Sequence, residues 1–257
     1  MTDQQGTFTP APGAAPLPRM VLAQARMESK LMLRNGEQLL LAVVIPVIVL
    51  VGMVRGASRL GLDYDRPVVD VVTPGVLALA VMSTAFTSLA IATAFERRYG
   101  VLKRLGASPL PRSGLLLGKV GALLLVELLQ IVVISLVALA LGWQPHPSLL
   151  AALLAVMLGT AAFAALGLFV AGVLRAEATL AAANLVYLLL MAGGAVVLPA
   201  SAYGALGGLT RLLPSGALGE SLREAFWSGG IEWGSLLVLA VWAGIGAVLT
   251  ARTFKWE

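Results

Sequence analysis

The sequence predicts an all-α polytopic membrane protein with six transmembrane helices, an N-terminal amphipathic interfacial helix, and short re-entrant or surface helices between spans five and six. Three observations predict it. Of 257 residues 59% are hydrophobic and only 12% charged, with a mean hydropathy of +0.92, whereas a soluble domain is about 25% charged. Long apolar runs recur, each near the roughly 20 residues that a spanning helix needs. The cations gather in short loops beside those runs. A pI near 10.0 could suggest nucleic acid, but the excess is only +5 and its position serves membrane orientation; no nucleic-acid partner is expected. The absence of Cys excludes disulfides and thiolate metal sites, and the lone His146 excludes a multi-histidine site. No bound cofactor or metal is expected.

Residues 1–16, rich in Pro, Gly, Ala and Thr, lack the basic and apolar regions of a signal peptide and read as a disordered cytoplasmic tail. Residues 17–257 form the transmembrane domain. Over 17–36, Arg19, Arg26, Lys30 and Arg34 fall on one helical face, and Val21, Leu22, Ala25, Met32 and Leu33 on another. That pattern fits a helix in the membrane interface, its basic edge toward lipid phosphates. Spans are expected at about 38–54, 71–95, 113–141, 148–174, 178–198 and 233–251. The first contains Pro46, which membrane helices tolerate. Gly142 to Pro147 make a turn with Trp143 as an interfacial aromatic, and Arg175-Ala176-Glu177 is a very short connection. Residues 200–230 mix Arg211, Glu220, Arg223 and Glu224 with Leu and aromatics. They are too polar to span and too apolar for a free loop.

Six spans place both termini on one side. With the N-terminus in the cytoplasm, thirteen Lys and Arg fall inside (Arg19 through Lys255) and five fall outside, at 55, 59, 66, 211 and 223. The positive-inside rule therefore orients the chain, with both termini in the cytoplasm and the plasma membrane as its location.

The densest cationic stretch is Glu96 to Lys119. Arg97, Arg98, Lys103 and Arg104 surround Val101, Leu102 and Leu105, and Pro109 closes the segment. A short helix over about 97–107 is expected to lie across the membrane surface, apolar side down. Gly114 to Lys119 resembles a phosphate loop, but it has three residues between its glycines and Val120 where a Ser or Thr should stand, which rules that reading out. Within the spans, Thr84, Thr87 and Ser88 lie with Ser83 on one stripe of span two. Glu127 lies two helical turns past Lys119, roughly 12 Å along the helix at about 1.5 Å per residue, with Gln130 at i+3. An acid at that depth is either a functional carboxylate or a hydrogen-bonded packing group. Asn184 and Tyr187 form a further patch on span five. Each of these residues belongs either to a substrate path or to helix packing.

Several features together resemble the membrane subunit of ABC-2 type transporters, the family that includes daunorubicin-resistance-type efflux permeases. One is Glu96, Gly100, Leu102, Leu105, Pro109 and Arg112 running into Gly118-Lys119. Another is Leu213-Pro214-Ser215 followed by Leu222-Arg223-Glu224-Ala225-Phe226. The third is Leu31-Met32-Leu33-Arg34-Asn35 before span one. The resemblance implies an ATP-driven exporter permease rather than an enzyme, and implies that ATP and Mg are bound by a separate cytoplasmic ABC ATPase present in two copies. It implies that Glu96, Arg97, Arg98, Gly100, Leu102, Lys103, Arg104 and Leu105 form a coupling helix seated on that ATPase. It also implies a second permease, identical or a sister chain, with spans one and five at the contact. The expected cargo is a hydrophobic or amphipathic drug or lipid-like molecule, or a lipid-linked glycan, taken up among membrane lipids. The competing classes are a proton-coupled secondary transporter built on Glu127 and a non-transporting membrane assembly or sensor protein.

Overall fold

A computed structural model describes residues 15–34, 36–57, 64–106 and 110–254. The expected tail through residue 14, and Asn35, Arg59, Asp63, Pro109 and Lys255, lie outside them, as does the side chain of Arg112. The described residues are helical with no strand. Helix α1 is Leu17–Arg34 and α2 is Gly36–Gly56. Helix α3, Val68–Arg98, is continuous, with a wider π turn at Ser83–Ser88. The short α4 is Val101–Gly106, α5 is Arg112–Ala140, α6 is Leu149–Val173 and α7 is Ala176–Gly193. After a 3-10 segment at Ala200–Leu206 come α8 (Gly207–Thr210), α9 (Pro214–Trp227) and α10 (Trp233–Thr253).

Helices α3, α5, α6, α7 and α10 are long and apolar enough to cross a membrane, and α2 contributes the shorter apolar stretch Ala42–Gly56 where the first span is expected. The helices alternate in direction. One end of the bundle holds α1, α4, the α6–α7 turn and the end of α10, where Phe254 meets Gly172. The far end holds α9. Helix α3 is the centre: 72% of its most apolar window is buried, against 17% for α7. Its residues from Val69 to Met82 are buried on every side except at Asp70, so it reads as a continuous apolar run without amphipathic period. Helices α2, α5, α6 and α9 pack around it, and α10 lies along α6.

Lipid tails are as apolar as the side chains, so close approach and hydrogen bonds hold such a bundle together. A Cβ on Gly75 of α3 would stand 2.3 Å from the Val197 carbonyl oxygen, and one on Gly167 of α6 would stand 2.8 Å from that of Phe86 in the π turn. Two prolines sit inside helices, Pro46 in α2 and Pro74 in α3. Each lacks an N–H and so frees the carbonyl four residues earlier. Both carbonyls are recaptured by side chains from other elements. Gln130 Nε2 donates to the Ala42 oxygen at 2.8 Å, and Trp227 Nε1 donates to the Asp70 oxygen at 2.8 Å.

Four of these expectations take a definite form in the structure. Span five ends at Gly193, not 198. Ala195 takes a left-handed φ of 54°, and the carbonyls of Val196 and Val197 turn to Arg223 instead of continuing the helix. Of the re-entrant and surface alternatives for residues 200–230, α9 takes the buried one, among α3, α6 and α10. Trp143 is not interfacial. It is buried 5.1 Å, centroid to centroid, from Phe226, because the α5–α6 turn bonds back onto the end of α9 through His146 N and Ser148 N. Helix α1 leaves much of its apolar set exposed, as a helix lying in the interface would. Its buried seam is Gln24 and Ser29, while Leu22, Leu31 and Leu33 are exposed. That polar seam faces protein, which leaves the apolar side chains for lipid.

Candidate functional site

The end of α3 and the helix that follows it form the site. Helix α3 stops at Arg98. Tyr99 N donates to the Phe95 carbonyl, and Gly100 takes φ 70°, a conformation that suits glycine. This break corrects the expected helix over 97–107. Arg97 and Arg98 belong to the last turn of α3, and the separate short helix is Val101–Gly106. The turn expected after it at 107–109 lies outside the described residues.

The break divides the cations into two pairs with different surroundings. The Arg97 guanidinium donates to the carbonyls of Gly172 and Leu174, capping the end of α6. Free carbonyls at a helix C-terminus favour such a donor. Arg98 pairs with Glu177 in the first turn of α7, and its guanidinium lies 5.9 Å from the Tyr99 ring centroid. Lys103 and Arg104, by contrast, point outward with Val101, and Tyr99 beside them is 65% exposed. Leu102 is 1% exposed and Leu105 half-buried, so α4 is held down by its apolar side. A small platform results, with one anchored face and one cationic, partly aromatic face turned away from the bundle.

Glu96 is engaged differently. Lys119, near the start of α5, donates to the Glu96 carboxylate at 2.7 Å and to Glu28 of α1 at 2.8 Å. Gln24 Nε2 also donates to Glu28, at 2.9 Å. Helix α1 is seated in a groove of small residues on α5: a Cβ on Gly118 would lie 2.6 Å from Gln24 Cγ, and one on Gly121 3.4 Å from Ala25 Cβ. The glycines that mimic a phosphate loop therefore receive a helix.

Deeper in the bundle, the candidates for path or packing separate. Thr84 Oγ1 donates to Gln130 Oε1 at 2.9 Å, and Gln130 in turn holds the carbonyl freed by Pro46. Tyr187 is hydrogen-bonded through its side chain to Ser83 in the π turn. Those residues join helices. Glu127 is buried and accepts from Thr160 of α6 at 2.6 Å, while its other oxygen has no partner among the described residues. Thr87 Oγ1 is likewise buried without a partner, and Ser88 is half-buried. Asn184 stands apart from Tyr187, exposed on the outer side of α7.

Sequence reasoning passed over Glu28, Thr160, Glu177 and the central part of Arg223. The Arg223 side chain is 1% exposed and donates to the Val196 and Val197 carbonyls at 2.8 Å each, with Glu220 3.4 Å away. An acid nearly two helical turns before the end of an amphipathic helix, and an arginine among the leucines and small residues of the 214–227 segment, were the available signals.

A family model described as ABC-2 type transporter matches residues 20–227, from the first turn of α1 to the end of α9. No curated protein matches the chain.

Proposed function

The chain belongs to the ABC-2 type transporter family as the membrane-spanning permease component of an ABC transporter, a transport subunit and not an enzyme, and we propose that it works as an ATP-driven exporter. In this reading a cytoplasmic ABC ATPase, in two copies carrying ATP and Mg, seats against α4. Two permeases, identical or sister chains, stand side by side in the plasma membrane with both termini cytoplasmic. Nucleotide-driven closure of the ATPases pushes α4, and the bundle opens outward to release a hydrophobic or amphipathic cargo, a drug or lipid-like molecule of the kind handled by efflux permeases. Few charges lie within the spans, which favours a cargo partitioned into lipid over a small ion.

The observation that carries the coupling role is the division of cations at the α3–α4 break. Lys103 and Arg104 are exposed and make no side-chain ion pair or hydrogen bond among the described residues, Val101 and the outer side of Tyr99 lie beside them, and a cationic rim around an apolar patch complements an acidic groove. Arg97 and Arg98 are already spent on α6 and α7. Membership in the family supports an ATPase partner over proton coupling, and in this reading Glu127 joins α5 and α6 through Thr160.

The test is purification of the permease together with the products of its neighbouring genes, asking whether an ABC ATPase is retained, followed by charge reversal. Lys103→Glu with Arg104→Glu is expected to lower ATPase retention at least tenfold. Arg98→Glu is expected to leave retention within twofold. Retention that survives the double reversal, or that depends on Arg98 more than on Lys103 and Arg104, overturns the coupling role of α4.

A further inference from the structure

The buried cluster around Lys119 is not needed to seat a partner, yet it joins three elements. Helix α1 packs on α5 and, more lightly, on α2. It has no comparable packing on α3. Between α1 and α3 lies a cavity of about 150 Å³ whose walls include Met32, Leu89, Ala92 and Leu123. Lys119 bridges the two helices at the edge of that cavity. Its side chain is 5% exposed, and it donates to Glu28 on α1 and to Glu96 on α3. Both carboxylates depend on this one ammonium, since neither has another cation within ion-pair distance among the described residues. Without it two partly buried like charges would face each other across the cavity, and they would part. Glu96 lies one turn before the break that leads into α4, so whatever displaces α4 displaces Glu96.

We propose that Lys119 is a positioning residue that makes the interfacial helix α1 follow the coupling helix α4, so that the stroke reaches the lipid interface as well as the spans. This rests on the coupling role of α4 argued above. The glycine groove lets α1 lie close against α5, and the Lys119 bridge ties the helix so seated to the end of α3.

The chain lacks Cys, so single cysteines introduced in pairs can carry spin labels without background. Labels at Tyr99, at Arg26 on the exposed side of α1, and at Leu149 as a reference on the far end give two distances in the full permease–ATPase complex in nanodiscs. In the unaltered complex, ATP with orthovanadate is expected to shift the Tyr99–Leu149 and Arg26–Leu149 distances together. Lys119→Met is expected to keep the first shift and abolish the second, and Lys119→Arg to restore it. Glu28→Gln, a milder change that leaves Lys119 paired with Glu96, is expected to reduce the Arg26 shift by at least half. The latch is overturned if Arg26 moves with Tyr99 unchanged in Glu28→Gln or Lys119→Met, or if Arg26 stays still in the unaltered complex while Tyr99 moves. A bound ATPase with no nucleotide shift at Tyr99 would instead sink the coupling role of α4, and the latch with it.

Discussion

At the scale of single residues, the two helix prolines show how a membrane protein settles its hydrogen bonds. Gln130 reaches the carbonyl left by Pro46, and Trp227 the one left by Pro74. A buried carbonyl without a donor costs about 1–3 kcal/mol. Gln130→Leu is therefore expected to destabilise the bundle by about that amount, read as a lower midpoint of detergent-induced unfolding. The effect should shrink strongly in a Pro46→Ala background, where the helix can donate its own N–H to Ala42. Equal losses in both backgrounds would show that Gln130 works through Thr84 or through packing alone. Glycines give a second contrast. A Cβ on Gly75 meets two backbone oxygens within 2.6 Å, so Gly75→Ala must move the 194–199 bend, at a cost of about 1–3 kcal/mol. Gly52 has nothing within 4 Å, so Gly52→Ala is expected to stabilise α2 by up to about 1 kcal/mol. The same unfolding measurement ranks the two, and a Gly75→Ala no worse than Gly52→Ala would refute the packing argument.

At the scale of elements, the break at Gly100 assigns Arg97 and Arg98 to the bundle and Lys103 and Arg104 to the outside. Arg97→Gln removes the charged cap from the end of α6. Backbone amides in and after the α6–α7 turn are expected to exchange hydrogen at least tenfold faster, with little change in ATPase retention. The Arg98–Glu177 pair is largely exposed and so contributes little stability; exchanging the two residues is expected to be silent in both assays. The all-α architecture, the order of the long apolar helices and a short helix after span two were legible because apolar run length and charge position decide them. Which cations serve the platform was not legible, since the break at Gly100 decides it and a single glycine can either end a helix or lie within one. The end of span five was equally hidden: residues 194–198 are as apolar as the helix before them, and the donor that draws them out of the helix, Arg223, lies more than 25 residues later. Burial of α9 was hidden for a similar reason, because Arg223 reads as a surface charge until the carbonyls it satisfies are known.

At the scale of the whole molecule, α7 is the most exposed of the long apolar helices. Leu180, Leu185, Leu188 and Leu189 are exposed there, which suits lipid, but Asn184 is exposed in their midst. An amide facing lipid tails loses the hydrogen bonds it would make in water, and membrane helices relieve that loss by pairing such residues across an interface. A second permease related by a two-fold axis would bring the same surface against itself, so that Asn184 of each copy meets the other. Asn184→Cys in this Cys-free chain is then expected to form a disulfide between copies in native membranes under mild oxidation, seen as a species of twice the mass that reductant abolishes. Leu237→Cys, equally lipid-facing on α10 at 66% exposure, is the control and is expected to stay single. Equal cross-linking at both positions would mean random collision. Cross-linking at Leu237 alone would move the permease contact to α10. Asn184→Leu extends the argument: it removes the buried pair while leaving an apolar surface, so the permeases are expected to dissociate at lower detergent concentrations although each chain remains folded.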